Sequence, residues 1–289
     1  MDRDSKNFVQ KIAVDIVCLG SVGFSVLIFY LSGEPYQRGF YCNDESIRYP
    51  FRESTVPSSV LYSVGLGLPT LVILTVEYLL QKSEQAQYSL FGKNIPNWVF
   101  SAYNNLLWFL FGAACSQLTT DVGKYTIGRL RPHFLDVCGL SKICTEPGNQ
   151  FRYIEDISCE NSDDHRKKDS RLSFPSGHSS LSFYCMVYLA VYLQSRIKIA
   201  KYGMAKSFFQ FIVILMAAYC ALTRVSNYKH HWSDVLAGTL LGSLIATLTA
   251  FYVSDLFISK TKCSRKRNNS SDNVDTINPS QTVELKAIT

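Results

Sequence analysis

Six long apolar segments dominate this 289-residue sequence and restrict the folds that it can adopt. They lie at roughly residues 12–31, 59–80, 100–121, 176–195, 207–223 and 235–256. Each is long enough to cross a hydrocarbon core of about 30 Å as a helix that rises about 1.5 Å per residue. A soluble bundle is the alternative, but soluble helices carry a polar face, which residues 208–222 almost lack. The sequence therefore predicts an all-α protein with six transmembrane helices.

The segments follow one another closely, so we expect a single six-helix transmembrane domain over residues 1–258. The first segment is too long for the core of a signal peptide and predicts a retained signal anchor. Residues 259–289 are polar and rich in Ser and Asn, which predicts a disordered cytosolic tail. Cys263, at the basic start of that tail, is either a palmitoylation site or an unmodified thiol.

The distribution of Lys and Arg predicts how the chain is oriented in the membrane. These residues precede the first segment, fill the connection between the fourth and fifth, and follow the sixth. Because positive charges favour the cytosolic side, both termini are expected there. Residues 32–58, 123–174 and 224–234 then face outside or into a lumen. The first of these connections is polar and of mixed charge, which favours an ordered lid or packing loop.

The connection before the sixth segment holds the sequence TRVSNYKHHWSD at residues 223–234. Arg224 is followed by His230 and, one helical turn later, by Asp234. A cation, an imidazole and a carboxylate in this order suit an anionic substrate, a nucleophile and a group that orients the nucleophile. The alternative is that the cations are ordinary membrane flanks and the histidines cap the next helix.

A second motif, KYTIGRLRP, follows the third segment at residues 124–132. On a helix that continues out of the membrane, Lys124 and Arg131 are seven residues apart and lie on one face, and Pro132 ends the helix. Arg donates bidentate hydrogen bonds to phosphate oxygens and Lys adds a point charge, so this face suits a phosphate. An ordinary basic membrane flank is the alternative.

A third motif, PSGH at residues 175–178, precedes the fourth segment. Pro175 fits the first turn of a helix, and Gly177 lets the backbone approach a ligand closely. The free N–H groups of this turn can point at an anion, beside which His178 is a candidate proton donor to a leaving group. A helix cap with an incidental histidine is the alternative.

The predicted topology places all three motifs on one non-cytosolic face. Together, KYTIGRLRP, PSGH and TRVSNYKHHWSD resemble the three sequence motifs of the type 2 phosphatidic acid phosphatase family, and specifically its integral-membrane lipid phosphate phosphatases. The resemblance extends to about residue 258 and includes RGFYCNDESIRYP, FGAACSQ and RPHFLDVC. It implies a helical core related to that of vanadium haloperoxidases. The third motif of the family usually begins Ser-Arg; here Thr223 replaces the serine and keeps its hydroxyl.

The resemblance also implies a role for each motif residue. The substrate phosphate is held by Lys124, Arg131, Ser176, the backbone at Gly177, and Arg224. Three further residues carry out the catalysis: His230 attacks phosphorus, Asp234 orients His230, and His178 protonates the leaving alkoxide. No cofactor is expected and activity is Mg²⁺-independent, because Arg and Lys supply the countercharge.

The implied function is hydrolysis of lipid phosphate monoesters to the lipid alcohol and phosphate through a phosphohistidine. Substrates in the outer or lumenal leaflet are expected: phosphatidate, lysophosphatidate, sphingosine-1-phosphate and ceramide-1-phosphate. The expected location is the plasma membrane with an extracellular active site, or ER and Golgi membranes with a lumenal one. A lipid phosphotransferase and a non-enzymatic transporter or lipid-binding scaffold are the alternatives, and no nucleic-acid partner is expected. The sequence does not decide whether the chain forms a homo-oligomer. Gly238 and Gly242, at GxxxG spacing, favour helix packing within one chain.

Several other polar residues and cysteines need a structural explanation. Asp15 and Glu77 fall inside apolar segments near their cytosolic ends, where snorkelling, or pairing with Lys11 or Lys82, accounts for them. The cluster at residues 163–165 resembles a metal site but lies in a Lys-rich loop, which favours a solvated surface. Four cysteines face the oxidising side, and a disulfide is expected among Cys42, Cys138, Cys144 and Cys159. Cys138 bonded to Cys144 or to Cys159 would brace the active-site loop.

Overall fold

The computed structural model describes residues 3–82, 88–90, 93–155, 159, 163–198 and 203–257. Helices dominate this part of the chain, which confirms the all-α prediction. They are α1 (Arg3–Ser32), α2 (Ser58–Gln81), α3 (Asn97–Ile127), α4 (Phe134–Cys138), α5 (Ser141–Thr145), α6 (Asp164–Asp169), α7 (Gly177–Arg196), α8 (Gly203–Ser226) and α9 (Trp232–Leu248). A π-helical turn, Thr249–Val253, continues α9. The predicted tail at residues 259–289, with Cys263, lies outside the described residues.

Short strands complete the secondary structure. They are β1 (Phe40–Tyr41), β2 (Tyr88–Leu90), β3 (Lys93–Ile95) and β4 (Tyr153–Ile154). β1 pairs antiparallel with β4, with Phe40 opposite Ile154, and β2 pairs antiparallel with β3. The pairing of β1 with β4 joins the connection at residues 32–58 to the one at residues 123–174.

All six predicted apolar segments form helices, but they differ in how well they suit a lipid environment. Within the described residues, four helical segments are long and apolar enough to cross a membrane: Lys6–Ser32, Ser58–Gln81, Gly203–Ser226 and Trp232–Val253. The other two predicted spans, in α3 and α7, do not reach that level. α7 packs against α2, α3, α8 and α9, so much of its surface faces protein rather than lipid. A central helix can therefore carry serines and tyrosines at membrane depth.

Close helix packing at the centre depends on two glycines of α9. A Cβ atom added at Gly238 would lie 2.5 Å from the Ser176 carbonyl oxygen, and one at Gly242 would overlap the Ser180 carbonyl oxygen. α9 therefore touches the backbone of α7, as the GxxxG spacing predicted for packing within one chain. This contact holds the TRVSNYKHHWSD motif against the PSGH motif.

The end of α3 differs from the prediction. The helix stops at Ile127, and Gly128 takes up left-handed backbone angles with φ of 57°. A Cβ atom there would overlap the Tyr36 carbonyl oxygen, so glycine is required. Lys124 is on α3 but Arg131 is beyond its end, so the two do not share a helix face as predicted. Lys124 and Arg131 nevertheless line one cavity.

Two disulfides brace the connections at residues 32–58 and 123–174: Cys42–Cys144 joins the two connections, and Cys138–Cys159 lies within the second. The expectation of a disulfide among these cysteines and the Cys138–Cys159 alternative agree with this pairing. The Cys138–Cys144 alternative does not, because Cys144 bonds to Cys42 in the first connection. A small apolar cluster that includes Phe40, Ile47 and Phe134 packs around the bridges.

Glu77 departs from the prediction that it snorkels or pairs with Lys82. It is fully buried and forms an ion pair with Arg196, whose Nε donates to Glu77 Oε1 over 2.7 Å. Tyr192 Oη and Asn105 Nδ2 donate to the same carboxylate over 2.8 and 3.0 Å. A buried carboxylate needs such partners, and α3 and α7 supply them. Asp15 accepts a hydrogen bond from Tyr103 rather than pairing with Lys11.

Candidate active site

A cavity of about 260 Å³ lies at the end of the bundle where the three motifs meet. Six of the eight predicted site residues line it: Lys124, Arg131, Gly177, His178, Arg224 and His230. The remaining two, Ser176 and Asp234, are fully buried behind this surface. Tertiary packing therefore brings together residues that lie far apart in the chain, such as Lys124 and His230.

Two buried arginines give the cavity its charge. Arg224 is 1% exposed and Arg131 is 7% exposed. Arg131 forms a 2.6 Å ion pair with Asp169, while Arg224 donates to Ser54 Oγ over 3.3 Å and to Thr223 Oγ1 over 3.2 Å. The Nε atoms of both arginines are buried without a hydrogen-bond partner among the described residues. Buried donors of this kind are costly unless a ligand satisfies them, and a phosphate is a suitable acceptor.

The start of α7 contributes backbone to the same cavity. Gly177 is the first residue of the helix, where N–H groups have no partner within the helix. A Cβ atom at Gly177 would lie 3.3 Å from Lys124 Nζ, so the ammonium group approaches the backbone closely. This arrangement offers adjacent donors to an anion.

Ser176 lies outside the cavity surface, in contrast to its predicted role. Its Oγ accepts a hydrogen bond from Ser179 Oγ over 3.0 Å, and its N–H donates to the Asp234 carbonyl over 3.0 Å. In this structure the residue joins α7 to α9. Direct phosphate binding by Ser176 stays a prediction.

His230 is held by a backbone carbonyl. Its Nδ1 lies 2.7 Å from the Ser173 carbonyl oxygen, and the residue is 3% exposed. Because a carbonyl only accepts, the neutral ring carries its proton on Nδ1 and has a lone pair on Nε2. Burial lowers the pKa of His230 well below its ordinary value, and Arg131 and Lys124 lower it further. The ring is therefore neutral at physiological pH, as a nucleophile must be.

Asp234 does not contact His230 directly as predicted, since its Oδ2 lies 4.0 Å from His230 Nδ1. Oδ2 instead accepts from Ser173 Oγ over 2.6 Å and from the His231 N–H over 3.0 Å. Oδ1 accepts from Arg129 over 2.5 Å. Asp234 therefore holds Ser173, and the Ser173 carbonyl holds His230. A direct contact is absent because Asp234 also caps α9 by accepting from His231, which turns its oxygens toward that helix end.

Ser173 and Arg129 were missed by the sequence analysis. Both lie within or beside a motif, in RLSFPSGH and in GRLRP, which is the only signal that could have drawn attention to them. Their function depends on contacts with Asp234, over sequence separations of 61 and 105 residues.

The connection at residues 32–58 covers the cavity, which agrees with the predicted lid or packing loop. The Val56 carbonyl oxygen lies 3.2 Å from His178 Nε2, and the Thr55 N–H donates to Asn227 Oδ1 over 3.1 Å. Lys229 Nζ lies 3.6 Å from the centre of the Phe51 ring. Burial and the nearby Arg131 lower the pKa of Lys229 to about 8.

The acidic cluster at residues 163–165 is exposed, as predicted for a solvated surface. Among the described residues, no group of three or more His, Cys, Asp or Glu side chains is arranged to hold a metal ion. Independence of a metal ion stays a prediction.

The fold and the cavity together define a helical membrane protein with a phosphate-suited pocket built from three motifs. Residues 105–258 match the PAP2 superfamily, and the chain belongs to that superfamily. It is 44% identical over 268 residues to a putative phosphatidate phosphatase of Drosophila melanogaster, covering 88% of this chain and 71% of that protein. It is 39% identical to phospholipid phosphatase 1 of Rattus norvegicus, covering 90% of each chain. It is also 41% identical to phospholipid phosphatase 2 of Homo sapiens, covering 85% of this chain and 83% of the human one. No solved structure gave a significant match.

Proposed function

We propose that this protein hydrolyses lipid phosphate monoesters to the lipid alcohol and inorganic phosphate. The relatives named phosphatidate phosphatase and phospholipid phosphatase support the reaction class. The observation that carries the proposal is that Arg131 and Arg224 line the same cavity as His230, and that the Nε atom of each is buried with no hydrogen-bond partner among the described residues. The substrates we propose are phosphatidate, lysophosphatidate, sphingosine-1-phosphate and ceramide-1-phosphate.

In the first step, Nε2 of His230 attacks phosphorus and the bond from phosphorus to the ester oxygen breaks. Lys124, Arg131 and Arg224 stabilise the charge that spreads over the equatorial oxygens. His178 donates a proton to the leaving alkoxide, and the negative charges of the substrate stabilise the imidazolium that does so. The products are a phosphohistidine and the free lipid alcohol.

In the second step, a water molecule attacks the phosphohistidine. The neutral His178 accepts its proton, the bond between nitrogen and phosphorus breaks, and phosphate leaves. Ser173 keeps the Nδ1 proton of His230 in place throughout, so the same nitrogen, Nε2, is restored for the next cycle. Asp234 positions Ser173.

We further propose that the pocket faces the extracellular side of the plasma membrane, or the lumen of ER and Golgi membranes, with both termini cytosolic. The disulfides Cys42–Cys144 and Cys138–Cys159 support this side, because such bonds persist in oxidising compartments. A headgroup then enters the pocket while its chain stays in the outer or lumenal leaflet.

The test is phosphate release from lysophosphatidate by the purified chain in detergent micelles, with the His230→Ala variant as control. We expect turnover in EDTA and inhibition by vanadate, which resembles five-coordinate phosphorus. Activity that disappears on chelation and returns with Mg²⁺ would contradict the metal-independent mechanism. Transfer of phosphate to an added alcohol in preference to water would assign a phosphotransferase, and no turnover at all would favour a transporter or scaffold.

A further inference from the structure

A second cavity, of about 630 Å³, lies beside α1 and adjoins the phosphate pocket. One wall is a single face of α1, because its residues recur at intervals of three and four. These residues are Gly23, Val26, Leu27, Tyr30 and Leu31. The other wall includes Gln117, Asp121 and Tyr125 of α3. We call this cavity the α1 groove.

The α1 groove and the phosphate pocket adjoin at one end. Both are lined by Tyr62, Gln117, Lys124, His165 and Asp169. Away from that junction the groove follows α1, and no residue in the apolar part of this helix is buried inside the protein. Leu27 and Leu31 remain exposed on this face. An occupant that fills both cavities therefore has a phosphate at one end and hydrocarbon at the other.

Asp121 is a carboxylate that lines the α1 groove, one helical turn before Lys124, which lies at the junction. It is 9% exposed, and Gln117 Nε2 donates to both of its oxygens over 3.0 Å. Within the described part of the chain it forms no ion pair. A carboxylate so close to a phosphate site repels the substrate unless it accepts a hydrogen bond from it. Its oxygens have lone pairs left for such a bond, since each can accept two.

Building on the proposed phosphatase activity, we propose that the α1 groove binds the hydrocarbon chain of the substrate and that Asp121 accepts a hydrogen bond from a hydroxyl or ammonium group next to its phosphate ester. The favoured class is lysolipid and sphingoid phosphates, which carry such a donor. Phosphatidate, whose second hydroxyl is esterified, does not. Asp121 is then a specificity-determining residue.

The chain-binding part is tested by filling the groove from α1. Gly23 lines the groove and Gly20 does not, and a Cβ atom at either would meet nothing within 4 Å. Gly23→Leu and Gly20→Leu therefore make the same change on the same helix, and neither places its Cβ atom against a neighbour. We expect the ratio of kcat/KM for an 18-carbon to a 6-carbon lysophosphatidate to fall about tenfold in Gly23→Leu and to stay at the wild-type value in Gly20→Leu. Equal ratios in the two variants would overturn the chain site.

The role of Asp121 is tested by comparing lysophosphatidate with its 2-deoxy analogue, which lacks the hydroxyl. In the wild type we expect kcat/KM to favour lysophosphatidate about tenfold or more, since a hydrogen bond to a charged group is lost with the analogue. In Asp121→Asn the ratio should fall toward one. Asp164→Asn removes a carboxylate whose side chain is 99% exposed and should keep the wild-type ratio.

Failure of this proposal is distinct from failure of the proposed function. A wild-type protein that hydrolyses both substrates with a ratio near one refutes the role of Asp121 while the phosphatase activity stands. An Asp121→Asn protein that keeps the wild-type preference refutes it as well. A wild-type protein that releases no phosphate from either substrate contradicts the proposed function itself. If Asp121→Asn does not fold, the wild-type ratio alone still decides.

Discussion

At the scale of single residues, His230 and His178 line one cavity but have different surroundings. His230 is fixed by the Ser173 carbonyl and is neutral, while His178 lies against the Val56 carbonyl of the covering loop. The surroundings of His230 fit a nucleophile. Burial and Arg224 lower the pKa of His178 to about 3, so its proposed role as a proton donor requires the negative charges of a bound phosphate. The two roles predict different behaviour when each ring is removed.

We predict that His230→Ala abolishes turnover and that His178→Ala traps the intermediate. An aryl phosphate has a good leaving group and needs little protonation, so His178→Ala should still form the phosphohistidine. Its hydrolysis then lacks a base, and acid-labile, base-stable phosphate should accumulate on the protein in rapid-quench experiments with radiolabelled substrate. Labelled phosphate on His230→Ala, or full activity in either variant, would contradict the assignment.

We predict that Ser173→Ala and Asp234→Asn lower kcat through one shared connection. Each change loosens the hold on the His230 ring, so phosphoenzyme formation should slow by roughly tenfold or more, with little change in KM. The double variant should be no slower than the slower single variant, because both remove the same link. Additive losses would show that Asp234 reaches His230 by another route. Melting temperatures measured alongside separate this effect from unfolding.

The buried side chain of His133 should make the free energy of unfolding depend on pH. It is 2% exposed, its Nδ1 lies 2.7 Å from the Tyr228 carbonyl, and burial lowers its pKa to about 4. In the unfolded chain His133 becomes protonated below about pH 6.5, whereas in the folded protein it stays neutral down to about pH 4. The free energy of unfolding therefore falls as the pH drops from 6.5 to 4 and then levels off. For this residue the loss is roughly 3 kcal/mol.

Melting curves in detergent at several pH values measure this slope. His133→Asn keeps a donor for the Tyr228 carbonyl but does not titrate, so its slope between pH 6.5 and 4 should be shallower. Some slope should remain, because the pKa of His230 is lowered in the same direction. An unchanged slope would show that His133 is protonated equally in both states.

At the scale of secondary-structure elements, the contact between α7 and α9 sets the distance between the PSGH and TRVSNYKHHWSD motifs. Gly242 allows the Ser180 carbonyl to touch the α9 backbone. We predict that Gly242→Ala destabilises the protein by roughly 1–3 kcal/mol, the usual cost of overpacking, and lowers its melting temperature in detergent.

Gly67→Ala is the matched control for this prediction. A Cβ atom at Gly67 would meet nothing within 4 Å, and alanine favours the helix of α2, so its melting temperature should stay level or rise. If Gly242→Ala behaves like Gly67→Ala, α7 and α9 pack less tightly than the structure indicates.

At the scale of the whole molecule, the orientation in the membrane determines which substrates reach the pocket. We predict that intact cells displaying the protein hydrolyse lysophosphatidate added to the medium. Tags on both termini should bind antibody only after permeabilisation, because the flanking Lys and Arg residues favour the cytosol. A tag accessible on intact cells would overturn the topology. Cells expressing His230→Ala control for other phosphatases.

The positions of the helices and the chemistry of the site were determined by local sequence. Apolar segments of membrane-spanning length form helices wherever they occur, and six of the eight predicted residues line one cavity. These predictions succeed because length, hydropathy and residue type act over one or two helical turns. They need no knowledge of distant partners.

Only the tertiary structure decided which polar groups contact each other. Asp234 binds Ser173 rather than His230, Glu77 pairs with Arg196, and Cys144 bonds to Cys42. In each case the two partners are 61 or more residues apart in the sequence. Helix packing sets such contacts, and small shifts in the rotation or end point of a helix, as at Gly128, redirect a side chain to another neighbour. The sequence pattern records the residue types but not that rotation.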